Sequence, residues 1–159
     1  MFRIGQGFDL HRLQPGEGVT LGGVYIACDY AIVAHSDGDA AIHALCDAVL
    51  GAAALGDIGH YFPDTDPEFA GADSRVLLRE VVKTLAQAGF RPVNVDLTIV
   101  AQVPKLAPYI VTMRQRLCED LGVDIGAVSV KATTHEGVDA IGEKRALSAH
   151  AVTLIAADM

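Results

Sequence analysis

Asp9 and His11 stand two residues apart in Gly7-Phe8-Asp9-Leu10-His11, and on an extended strand that spacing sends both side chains to one face. A carboxylate and an imidazole so placed can close on one divalent ion from a single rigid element. Taken alone, the pair could equally end a strand, with His11 hydrated beside Arg12. A third ligand is what separates a site from a coincidence. The run Ala34-His35-Ser36-Asp37-Gly38-Asp39-Ala40-Ala41-Ile42-His43 leads into one, because Asp39, His43 and Asp47 recur at helical spacing along one face. Spacing leaves open which of the three approaches Asp9 and His11. Two imidazoles and one carboxylate suit zinc, with a fourth position left for a substrate oxygen, so the ion can act as a Lewis acid.

The elements that must hold these groups can be read from pattern. A strand is expected from Phe2 to His11, with Gly5 and Gly7 marking close approach by another segment, followed by a polar turn region from Arg12 to Gly18. Val19 to Ile26 gives a hairpin about Gly22-Gly23. Asp37-Gly38-Asp39 suits a helix start, and apolar positions repeat at helical spacing from Asp39 to Leu55. Gly56 to Gly71 is so rich in Gly, Pro and Asp that a long irregular loop of the functional kind is expected. Ser74 to Ala88 is a second helix stopped by Gly89, and about Ala107 to Leu121 a third stopped by Gly122. Between them, Val93 to Val100 alternates as a half-buried strand with Val95, Leu97 and Ile99 inward. Ala127 to Ala132 and Arg145 to Ala156 complete the strands, and the last has no strongly polar face. The expected fold class is α+β, one domain over residues 1–159, with a mixed sheet, helices on one face and a nearly apolar opposite face that invites a partner subunit.

Composition narrows the function classes. A length of 159 residues favours a single core, and the absence of Trp means that small aliphatic side chains do most of the packing. A formal charge of −8 argues against a nonspecific nucleic-acid binder, which needs basic residues to displace counterions. An anionic small molecule remains compatible, since metals and helix ends reverse the local field. Cys28, Cys46 and Cys118 include no CxxC pair and read as reduced structural thiols, Cys46 in an apolar setting. No apolar run is long enough to span a membrane, and no secretory leader is visible. The expected location is the cytoplasm for a bacterial chain, or an organelle if a transit peptide has been removed.

Longer strings carry a resemblance. Ile4-Gly5-Gln6-Gly7-Phe8-Asp9-Leu10-His11, His35-Ser36-Asp37-Gly38-Asp39, Leu50 to Gly59 and Phe62-Pro63-Asp64-Thr65-Asp66-Pro67 closely resemble the 2-C-methyl-D-erythritol 2,4-cyclodiphosphate synthase family. The likeness continues in one register through Gly71-Ala72-Asp73-Ser74-Arg75, Asn94-Val95-Asp96, Ala101-Gln102-Val103-Pro104-Lys105 and Lys131-Ala132-Thr133-Thr134-His135-Glu136. It implies conversion of 4-diphosphocytidyl-2-C-methyl-D-erythritol 2-phosphate to the cyclic diphosphate and CMP by attack of the substrate's own 2-phosphate on its β-phosphorus. It further implies a homotrimer with sheets facing the centre and active sites between subunits. Two other readings compete: a metal-dependent phosphohydrolase using water, and a non-catalytic trimer that binds cytidine nucleotides.

Residue by residue, the resemblance implies Asp9, His11 and His43 as zinc ligands and Glu136 as the carboxylate meeting a second ion, magnesium or manganese. His35 and Thr134 match residues that stabilise the phosphoryl-transfer transition state. Substrate contacts are implied at Asp9, His11, His35, Ser36, Asp57, Ile58, Gly59, Phe62, Asp64 and Asp66 on the sugar-phosphate side, and at Ala101, Pro104, Lys105, Thr133, Thr134 and Glu136 on the cytidine and diphosphate side. The chain departs from the common pattern after Glu136, with Ala140 where many members have Phe and Glu143 where they have Arg. That Arg lines a central cavity in such members and meets a prenyl diphosphate there, so Glu143 is expected to remove the feature in that form.

Overall fold

The computed structural model describes residues 1–158. Its first strand, β1 (Phe2–Pro15), pairs along nearly its whole length with the last, β7 (Ala146–Ala157), in antiparallel register that sets Asp9 opposite Ala149 and His11 opposite Leu147. On the far side of β7 lies β5 (Phe90–Val100), antiparallel to it, and beyond β5 the parallel strand β6 (Val128–Thr133). A short strand β4 (Tyr30–Val33) covers the other edge through Arg12 to Pro15, giving a mixed five-stranded sheet in the order β4-β1-β7-β5-β6. The expected polar turn after His11 is therefore corrected: β1 runs on to Pro15 because β4 supplies the hydrogen bonds. Strands β2 (Gly18–Leu21) and β3 (Val24–Ala27) form the expected hairpin, with Gly22 and Gly23 at φ 59° and 75° as a primed two-residue turn requires.

One helix dominates the core. Helix α1 (Ala40–Ala52) is buried nearly all round, and its Ala44 and Ala48 lie against Gly7 and Gly5 of β1, where a Cβ would meet backbone oxygens. Helices α3 (Ser74–Gln87) and α4 (Ile110–Leu121) join α1 on the same sheet face, α4 ending at Gly122 in the left-handed region. Alternation along β5 is as expected, with Val95, Leu97 and Ile99 sealed in the core. The stretch from 56 to 71 is more ordered than its composition implies: Asp57 caps helix α2 (Ile58–Tyr61), and Asp66 caps a 3-10 turn over Pro67–Phe69. Both caps use carboxylates that composition alone reads as loop formers.

The opposite sheet face carries Phe2, Ile4, Phe8, Leu10 and Val152, each at least 41% exposed in the single chain. These even-numbered positions follow from strand alternation, since Gly5, Gly7, Asp9 and His11 face the helices. A last short helix, α5 (Asp139–Gly142), packs against β7, and beside it Glu143 accepts a hydrogen bond from Arg145 at 2.9 Å. Among the described residues no helix is long and apolar enough to cross a membrane.

Candidate metal centre and substrate cavity

Asp9 and His11 leave β1 toward α1, where His43 meets them from one turn inside the helix. Asp9 Oδ2 lies 3.0 Å from His11 Nδ1 and 3.2 Å from His43 Nδ1. The three side chains offer ligand atoms within 4.8 Å of one another, and all three are mostly shielded from water. His11 Nδ1 is buried and has no aligned hydrogen-bond partner despite its closeness to Asp9. A nitrogen lone pair left without a donor beside a carboxylate and a second imidazole is what a shared cation would satisfy. Burial works to raise the Asp9 pKa, but the His11 and His43 rings outweigh it and hold the carboxyl below its ordinary value. His43 is pushed the other way: burial disfavours its charged form, and the hydrogen bond and charge of Asp9, with Asp39 and Asp37 behind, more than offset that.

Of the three residues at helical spacing, only His43 enters the cluster. Asp39 is fully buried and grips backbone instead, accepting from Gly22 N at 2.9 Å, Gly23 N at 2.7 Å and Ile42 N at 3.0 Å. It caps α1 and clamps the hairpin to it. Asp47 accepts from Ile58 N at 2.8 Å and so ties the start of α2 to the same helix. One helical face thus mounts a turn, a ligand and a loop in succession.

The cluster opens into a cavity of about 360 Å³ whose lining includes His35, Ser36, Ile58, Gly59, Phe62 and Asp64 from the residues singled out in the sequence. Asp57 and Asp66 do not line it and serve instead as helix caps, and the Asp66 carbonyl oxygen lies 3.2 Å from His35 Nε2. A second, separate cavity of about 360 Å³ gathers Ala101, Pro104, Lys105, Thr133 and Thr134 at the ends of β5 and β6. Glu136 follows it in a left-handed conformation, its N–H donating to Thr134 Oγ1 at 3.2 Å. Within one chain the two groups of residues do not share a cavity. Lys131 pairs with Asp96 at 2.8 Å, which accounts for it structurally. Sequence reasoning passed over Asp37 and Ser74, which stand behind His43, and Gln102, whose side-chain oxygen accepts from Gly137 N at 3.3 Å. The Asp-rich turn before α1 was a signal for Asp37; nothing in the spacing pointed to Ser74.

A three-ligand cluster with an open side, held between a strand and a buried helix, defines a single-domain α+β protein built around side chains able to hold a divalent metal. The chain belongs to the YgbB family, whose model matches residues 2–156. It is 57% identical over 155 residues to 2-C-methyl-D-erythritol 2,4-cyclodiphosphate synthase of Pseudomonas aeruginosa (strain UCBPP-PA14), covering 98% of this chain and 99% of that one. Its fold superposes with TM-score 0.93 and 37% identity on the bifunctional IspDF of Campylobacter jejuni, covering 98% of this chain and 42% of that longer one. A CDP complex of IspF from Plasmodium falciparum gives TM-score 0.87 and 34% identity, covering 99% of this chain and 97% of the other.

Proposed function

We propose that this chain converts 4-diphosphocytidyl-2-C-methyl-D-erythritol 2-phosphate into 2-C-methyl-D-erythritol 2,4-cyclodiphosphate and CMP, a phosphorus–oxygen lyase reaction. The observation that carries the reading is the Asp9/His11/His43 cluster opening onto a cavity lined by His35, Ser36 and the loop from Ile58 to Asp64. The substrate brings its own nucleophile: a 2-phosphate oxygen bonds to the β-phosphorus as the β-phosphorus–oxygen bond to CMP breaks, the electron pair leaving on CMP. The protein's task is to fold one anion back onto another, against a repulsion on the order of 4 kcal/mol for unit charges about 4 Å apart at an effective dielectric near 20.

Asp9, His11 and His43 would hold zinc, and Glu136 would meet magnesium or manganese; such ions supply charge neutralisation and polarisation at phosphate oxygens. His35 and Ser36 present hydrogen-bonding groups beside the cluster, His35 positioned by the Asp66 carbonyl. The backbone N–H of Gly59 and the Asp64 carboxylate orient the sugar hydroxyls and phosphate, while the Ile58 N–H stays on Asp47 and Ile58 contributes its side of the cavity wall. The cavity of Ala101, Pro104 and Lys105 takes cytidine, with Thr133 and Thr134 donating hydroxyls to the diphosphate. Since one chain holds these two halves apart, we place the complete site between neighbouring subunits of a homotrimer, its apolar sheet faces toward the centre. We assign the reaction to the cytoplasm of a bacterial cell, or to an organelle if a leader has been removed.

The test is product analysis by 31P NMR with zinc-loaded, assembled protein and magnesium. The reading expects the cyclic diphosphate with stoichiometric CMP. A linear hydrolysis product, or no turnover by protein verified to hold zinc and to be assembled, would overturn it.

A further inference from the structure

His43 is the only ligand of the cluster borne by a helix, and its second ring nitrogen is engaged. Nε2 lies 2.9 Å from Ser74 Oγ, at the first residue of α3, and 3.3 Å from Ser36 Oγ. Ser74 is fully buried, and its hydroxyl donates to Asp37 Oδ1. Asp37 also accepts from Ser74 N at 2.9 Å and from Asp39 N at 3.1 Å, so its carboxylate is surrounded by donors. A serine hydroxyl has one proton to give. With that proton committed to Asp37, the contact to His43 is satisfied only if Nε2 carries the ring proton and donates it. In the neutral ring Nδ1 then keeps its lone pair, 3.2 Å from Asp9 Oδ2 and inside the ligand cluster.

We propose that Asp37 and Ser74 are positioning residues that hold His43 in the tautomer with its proton on Nε2, so that Nδ1 faces the metal without a flip of the ring. The proposal rests on reading Asp9, His11 and His43 as a zinc site. Ser36 Oγ is a weaker competitor: it is farther from Nε2 and already accepts from Gly38 N at 3.2 Å. The same relay joins the starts of α1 and α3, because Asp37 holds the N–H groups of both Asp39 and Ser74. His43 is thus oriented by a helix that contributes no ligand of its own.

The test uses zinc-loaded protein labelled with 15N at histidine, together with Ser74→Ala and Asp37→Asn. Long-range 1H–15N correlation should find the His43 proton on Nε2 and the metal-shifted resonance at Nδ1. Competition with a chromophoric chelator should find zinc affinity reduced about tenfold to a hundredfold in both variants. Val81→Ala serves as the folding control: it opens a cavity on the buried face of α3 away from the relay, and should lower the melting temperature while keeping zinc affinity. A proton on Nδ1, unchanged affinity in both relay variants, or an equal affinity loss in Val81→Ala would overturn the relay. Failure of the wild-type chain to bind zinc at all would instead overturn the metal reading beneath it.

Discussion

Gly7 of β1 lies so close to α1 that a Cβ built on it would fall 1.8 Å from the carbonyl oxygen of Ala44, the residue after His43. Strand and helix backbones touch there, and this contact sets how far Asp9 and His11 stand from His43. Gly7→Ala must push α1 off the sheet. The expected cost is about 1–3 kcal/mol of stability, with weakened zinc binding alongside. Gly51, which has no neighbour within 4 Å of such a Cβ, is the contrast. Gly51→Ala should add roughly 0.5–1 kcal/mol through helix propensity and leave the metal site alone. Denaturant unfolding and zinc titration of the two variants distinguish a geometric role for Gly7 from a generic one; equal behaviour would refute it.

His43 and Asp47 sit one helical turn apart on the same face, yet only His43 reaches the cluster. His43→Ala should strip zinc to well below one equivalent by elemental analysis. Asp47→Ala should keep zinc and raise KM, because it releases the Ile58 amide and with it the segment that lines the cavity. Zinc retained in the first variant, or lost in the second, would reverse these roles.

This division of labour marks how far the sequence could be read. The pair Asp9 and His11 was legible because strand alternation places i and i+2 together whatever the tertiary fold. The choice among Asp39, His43 and Asp47 was not legible from spacing, because a helix face says who is in line and not what lies opposite. Here Asp39 meets the hairpin turn and Asp47 meets α2, both contacts made by chain far off in sequence. The helices and the Val95, Leu97, Ile99 alternation were clear for the same local reason. Strand β4 was missed because four residues carry too little pattern, and its pairing partner is what defines it. The stretch from 56 to 71 misled in the other direction, since the carboxylates that break regular structure also cap short helices.

Phe8 is 50% exposed in the single chain, with its ring 4.9 Å from His150 on the neighbouring strand. If the apolar face forms the centre of the trimer, Phe8→Asp places an unpaired charge in each subunit at that centre. The variant should sediment as monomer with an unaltered far-UV circular dichroism spectrum, because the side chain supports no contact in the α1 core. Its activity should fall with assembly. A trimer that survives the substitution would place the interface elsewhere.

Asp39 supplies a pH signature. Its carboxyl is pushed up to about 6 by burial, the largest influence, against the pull of the Ile42, Gly23 and Gly22 amides. Between its ordinary value of 3.8 and about 6 the folded chain holds a proton that the unfolded chain has released. Stability from this group is therefore fully present below the lower value and declines as pH rises through the upper one. Unfolding of the wild type and of Asp39→Asn, compared from pH about 4 to about 7 at fixed zinc, should show the variant gaining on the wild type across that window. The gap should be constant above it. A gap that does not change with pH would show that Asp39 does not carry the proton.

The separation of the two cavities makes the intersubunit site testable by complementation. His43→Ala damages the metal half, and Thr134→Ala the half formed at the ends of β5 and β6, so each homotrimer should be inactive or nearly so. In trimers reassembled from both, some interfaces pair an intact metal half from one subunit with an intact Thr134 half from its neighbour. Random mixing in equal amounts makes about a quarter of all sites complete under cyclic symmetry. Activity should therefore reappear on mixing, to roughly a quarter of the wild-type level per site. If instead both halves came from one chain, every site would carry a lesion and mixing would restore nothing.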